Sequence, residues 1–147
     1  MASTVVARDS SANISANLFQ GTATAAQYAD LAEKYLADAE YEVGTVVMVG
    51  GDKEVTACAS LNRALGVVSE NPAYMMNKDL VGGTYIALKG RVPVKVWGTC
   101  NKGDPMVAFK NGTASVSATD DPDWTVFAIA LEDCDDEGIT LVECVIL

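Results

Sequence analysis

The chain has 147 residues, half of them hydrophobic, which is enough apolar material for one compact domain with an extra arm and excludes a wholly disordered chain. Its 20 acidic and 10 basic residues give a formal net charge of -10, a surface that repels nucleic-acid phosphates and anionic membranes, so neither is an expected partner. There is no histidine, which removes Ser-His-Asp and Cys-His catalysis together with the commonest metal ligand.

In chain order, residues 1–21 are rich in Ala, Ser, Thr and Asn and predict an extended or irregular arm. Tyr28, Leu31, Tyr35 and Leu36 then recur at helical spacing, which predicts a short helix over Ala25–Ala37 capped by Thr24. The competing reading is an extended strap whose tyrosines plug into a neighbour. The texture changes near Tyr41, giving an arm over 1–40 and a β domain over 41–147. β-branched runs predict strands at 45–49, 54–57, 64–69, 84–89, 92–97, 106–109, 114–117, 125–131 and 139–145. Gly50-Gly51-Asp52 and Asn111-Gly112 are hairpin signals, and Gly90 predicts a bend or bulge between two strands. Many short strands without intervening helices make the fold class mainly β, a small β-barrel or β-sandwich.

Residue chemistry offers no catalytic set, no metal site and no cofactor site. The runs Asp120-Asp121-Pro-Asp123 and Glu132-Asp133-Cys-Asp135-Asp136-Glu137 miss the alternating ligand spacing of a calcium loop and are expected to be charged turns. Cys58, Cys100, Cys134 and Cys144 form no Cys-x-x-Cys pair and are expected as small buried hydrophobes or free thiols. No apolar run approaches the roughly 20 residues that span a bilayer, and the first residues lack a secretory pattern, so synthesis in a host cytoplasm is expected. Asn71-Pro72 ends a strand sharply and delivers Tyr74, Met75 and Met76, three large adaptable side chains, into a loop. Those three, with Tyr28, Leu31 and Tyr35, are the candidate interface residues.

Four segments carry a resemblance. Gly44–Asp52, Ala64–Ala73, Ala87–Val96 and Asn101–Val107, in that order, resemble the C-terminal domain of tailed-phage appendages and other virion structural proteins. Ala29-Asp-Leu-Ala-Glu-Lys-Tyr35 is similar to the start of the appendage domain in the self-cleaving intramolecular-chaperone peptidase family. The resemblance spans about residues 22–112, and no residue set matches the family's cleavage site. It implies a non-enzymatic virion protein, and a short acidic chain with an arm suits a capsid decoration or head-fibre protein. The implied partners are the major capsid protein and further copies of the chain as a homotrimer, on the outer capsid surface. A short tail fibre or baseplate component contacting host glycan is the alternative, with a self-cleaving domain behind it.

Overall fold

The computed structural model describes residues 10–11 and 29–147. The fold is mainly β and is organised by one long strand that serves a closed five-strand barrel and a second, smaller ring. The strands are β1 (Asp30–Tyr35), β2 (Val46–Val49), β3 (Val55–Ala57), β4 (Gly66–Val68), β5 (Tyr74–Met76), β6 (Thr84–Trp97), β7 (Pro105–Ala108), β8 (Ala114–Val116), β9 (Val126–Ala130) and β10 (Ile139–Ile146). Two single-turn 3-10 helices, Lys110–Gly112 and Asp123–Thr125, lie between the later strands.

The C-terminal half of β6 begins the first barrel. It pairs antiparallel with β10 from Ile139↔Trp97 to Ile146↔Gly90, and the ring continues through β9, β7 and β8. A parallel pairing of Val96 with Ala114 returns β8 to β6, so the five strands close on themselves. Period-two alternation decides what fills this barrel. Val92, Val94 and Val96 point inward from β6, and Val142, Cys144 and Ile146 do so from β10. Met106, Ala108, Ala128 and Ala130 complete the filling, all nearly inaccessible to solvent. Small alanines opposite valines suit so narrow a lumen. Burial of this kind is worth roughly 25 cal/mol per Å² of apolar surface, which makes the inward row the main source of the barrel's stability.

The N-terminal half of β6 serves a second ring. β1 pairs along one side of it, Tyr35↔Thr84 through Asp30↔Gly90, and β4 along the other. β4 leads to β2 and β2 to β3. A parallel bridge between Ala37 and Val55 closes the ring, with the Leu36 carbonyl accepting from the Glu54 and Val55 N–H groups at 3.0 and 3.1 Å. Ala37, Val47, Val55, Val68 and Ile86 fill it, with Tyr35 and Tyr41 packed at the margin. Neighbouring residues on the same strands, Val46, Val67 and Ala87, face the other way into the first core. One sheet thus separates two apolar cores. Tyr41 stitches β3 to the preceding segment: its hydroxyl donates to Asp38 at 2.5 Å and accepts the Ala57 N–H at 3.1 Å.

Nine predicted strands fall on observed ones, with 84–89 and 92–97 fused into β6. Gly90 lies inside that strand as the point where it changes partners, rather than between two strands. Asn111 and Gly112 both adopt positive φ, 57° and 70°, as the hairpin reading requires. Barrel, not sandwich, is the architecture.

The helical spacing over Ala25–Ala37 does not give a helix from residue 30 on: Asp30–Tyr35 is strand β1. Alanine-rich segments with two large apolar residues four apart satisfy a helix template weakly, and pairing with β6 overrides it. Residues 24–28, Thr24 and Tyr28 among them, lie outside the described residues. The Tyr74–Met76 loop is also a strand, since Asn71-Pro72 leaves the chain extended alongside β1.

Candidate interaction surface

β5 is built by β1. The Ala73 N–H donates to the Asp30 carbonyl at 2.9 Å, and parallel pairing follows, Leu31↔Tyr74, Ala32↔Met75 and Glu33↔Met76. Asn77 ends the strand in the left-handed region at φ 51°, and its side-chain amide donates to the Lys34 carbonyl at 3.0 Å. Lys34 Nζ donates to the Lys78 carbonyl at 2.9 Å and lies 5.2 Å from the Tyr85 ring centroid, so the loop after β5 is held to β1 as well.

Among the described residues β5 pairs with no other strand, so its outer edge carries unpaired backbone groups beside Tyr74 and Met75, 63% and 48% exposed. Val81 at the following loop tip is 91% exposed. An exposed edge carrying large apolar side chains can take an added strand or a complementary apolar surface. Four of the predicted interface residues, Leu31, Tyr74, Met75 and Met76, are thus neighbours on β1 and β5. Tyr35 is not with them. It is half-buried at the N-terminal core and donates to the Glu33 carboxylate at 2.9 Å; burial and that carboxylate push its hydroxyl up to about 12. Tyr28 lies outside the described residues.

A second exposed apolar patch escaped sequence reasoning. Trp97, Ile139 and Leu141 lie on the outer face of the β6–β10 pair, with Lys110 Nζ 4.0 Å from the Trp97 ring centroid and Phe109 tilted against it at 6.1 Å. Lys95 beside them pairs with Glu42 at 2.6 Å. The signal was in the alternation: once Val92, Val94, Val96, Val142, Cys144 and Ile146 are inward, Trp97, Ile139 and Leu141 must face out.

The acidic runs serve the backbone. Asp121 accepts the Ala118 N–H at 2.7 Å, Asp133 the Lys102 N–H at 2.7 Å, Asp136 the Gly138 N–H at 2.7 Å, and Glu132 the Glu143 N–H at 2.8 Å. Carboxylates that fold back on turn N–H groups are turn devices. All four cysteines are buried and unpaired, and burial pushes the Cys58 and Cys144 thiols up to about 12, away from the reactive thiolate.

No protein-family model matches the chain, and no curated protein does. Solved structures do. The C-terminal fragment of bacteriophage phi29 gene product 12 is 13% identical with a TM-score of 0.62, over 80% of this chain and 100% of that one. Pre-mature gene product 12 is 11% identical with a TM-score of 0.66 over 92% of this chain; the match spans 23% of its length. The N base of head fiber gp8.5 in bacteriophage phi29 is 25% identical with a TM-score of 0.51, over 80% of this chain and 93% of that one. The chain therefore shares its fold with solved bacteriophage phi29 structures, and the fold is that of a tailed-phage virion domain, as the resemblance of the four sequence segments implies.

Proposed function

We propose that this chain is a capsid decoration protein of the head-fibre type, non-enzymatic, which docks on the outer surface of the major capsid lattice as a homotrimer and stabilises the head. The observation that carries the reading is the likeness to the head-fiber N base, which extends over 93% of that chain at 25% identity. The β1–β5 edge supports it physically. Tyr74 and Met75 are large, adaptable and exposed on a strand with an open hydrogen-bonding edge, the features that subunit contacts use. The segment ahead of β1 acts as the tether, adding a second weak contact that strengthens attachment through multivalency.

A tail or baseplate appendage is the second reading. Its support is the likeness of fold to gene product 12, at TM-scores of 0.62 and 0.66. Sedimentation separates the two. The purified chain, mixed with tail-less heads lacking it, is expected to co-sediment at a fixed ratio of copies per head. Absence from the head fraction with binding to isolated tails would overturn decoration and establish the appendage.

A further inference from the structure

Next to the β1–β5 edge lies a cavity of about 270 Å³, lined by Asp30, Ser69, Glu70, Asn71, Arg91 and Glu143 among others. Asp30 is 7% exposed, and its Oδ2 is buried without a hydrogen-bond partner, the one such side-chain atom among the described residues. Its backbone is held from three directions. The Ala73 N–H donates to the Asp30 carbonyl, the Arg91 N–H donates to the Ala29 carbonyl at 2.9 Å, and Gly90 packs against the Asp30 Cα. A buried oxygen anion without donors is unfavourable in the free chain, and a cation reaching it removes the penalty.

The lining holds three acidic residues, Asp30, Glu70 and Glu143, and one basic residue, Arg91, and the described ion pairs are Lys78–Asp79 and Lys95–Glu42, neither of them here. The cavity therefore selects a positive group. A bare divalent ion needs several oxygens converging at short range, and no group of three acidic, cysteine or histidine side chains among the described residues is so arranged. A protonated side-chain end needs less: one carboxylate and a few neutral acceptors, which Ser69 and Asn71 supply. The cavity lies at the start of the strand pair that carries the apolar edge: Asp30 opens β1, and Asn71 stands shortly before Tyr74, the first residue of β5.

The geometry points to a receptor for one lysine or arginine side chain of the protein on which the β1–β5 edge docks, with the Asp30 carboxylate as its counter-ion. This inference rests on the docking role proposed above and adds the chemistry of the partner: an apolar surface with one protruding basic side chain.

The wild-type chain, titrated with n-butylammonium and n-butylguanidinium chloride and followed by amide NMR, tests the receptor independently of any virion. Saturable shifts confined to residues around Asp30, Arg91 and Glu143 are expected with at least one probe. No saturable shift with either probe overturns the proposal, and saturable shifts with calcium chloride alone overturn it in favour of a metal site. Asp30→Asn should abolish the probe response and weaken binding to heads at least tenfold, while leaving the thermal midpoint of the free chain equal or higher. A lower midpoint would mean that Asp30 has a structural partner, which also overturns it. If probe binding is seen and head binding is not, the docking role fails while the cation receptor stands.

Discussion

Gly90 is the residue at which β6 passes from the N-terminal ring to the barrel, pairing with both Asp30 and Ile146, and its replacement by alanine is a quantitative test of that junction. Gly90 has φ +98°, and a Cβ there would overlap the Ala29 carbonyl oxygen and lie 3.1 Å from the Asp30 Cα. Both obstacles are backbone, fixed by the Arg91 N–H to Ala29 carbonyl bond and by pairing of Asp30 with Gly90 itself. Gly98, one residue past the end of the same strand, has φ +82° but nothing within 4 Å of a built Cβ. The two positions share the conformational penalty and differ in the overlap. Positive φ costs an L-residue about 1 kcal/mol, and overlap with unyielding backbone adds roughly 2 kcal/mol in the range seen for overpacking. In a domain of this size about 1 kcal/mol moves the thermal midpoint by about 3 °C, so Gly98→Ala should lower it by about 3 °C and Gly90→Ala by about 9 °C. Circular dichroism melts of the two variants under identical conditions give the comparison. Equal midpoints would mean that β1 does not press on β6 at this point, and the two-ring arrangement would be refuted at its hinge.

Other outcomes follow from the same structure. Ile86→Ala opens a void in the N-terminal core, where Ile86 is fully buried, and should cost about 3 kcal/mol in urea unfolding; a loss under about 1 kcal/mol would show that this core is not packed as described. The double change Tyr74→Ser and Met75→Ser, at exposed positions, should alter stability by less than about 0.5 kcal/mol yet weaken head binding at least tenfold, and unchanged binding would dismiss the β5 edge as the contact. Deleting residues 1–21 should abolish capsid binding and leave the β domain folded; full occupancy of heads by the shortened chain would remove the tether. Alkaline stability has a definite sign. The Cys58 and Cys144 thiols are raised from 9.0 to about 12 by burial, so the folded chain holds protons that the unfolded chain releases. Their contribution is intact below pH about 9 and is lost as pH rises toward 12, on the order of 2 kcal/mol per thiol by pH about 11. A urea midpoint that is flat from pH about 9 to 11 would contradict the burial of these thiols.

The strands were legible where side-chain alternation or β-branched runs were strong. Val92, Val94 and Val96 alternating with Pro93 and Lys95 announce a half-buried strand, and Asn111-Gly112 announces its turn through the one conformation those residues share. The segment around β1 was not legible, because Leu31 and Tyr35 four apart match a helix as well as a strand, and only the open flank of β6 decides between them. β5 was hidden for a related reason. Three residues after a proline carry no periodicity, and their strand character comes from β1 alone. At the candidate surface, the apolar content of Tyr74-Met75-Met76 was visible in the chain, while its adjacency to Leu31 required the parallel register. The Asp30 cavity was not visible at all: a lone aspartate opening a strand is an ordinary surface residue until pairing of β1 with β5 and β6 buries it.

The central claim, a decoration protein of the phage head, is tested most directly by gold-labelled antibody against the chain on intact virions from its source, imaged by electron microscopy. The proposed role predicts label spread over the heads at many sites per particle. Label confined to the tail, with bare heads, would contradict it.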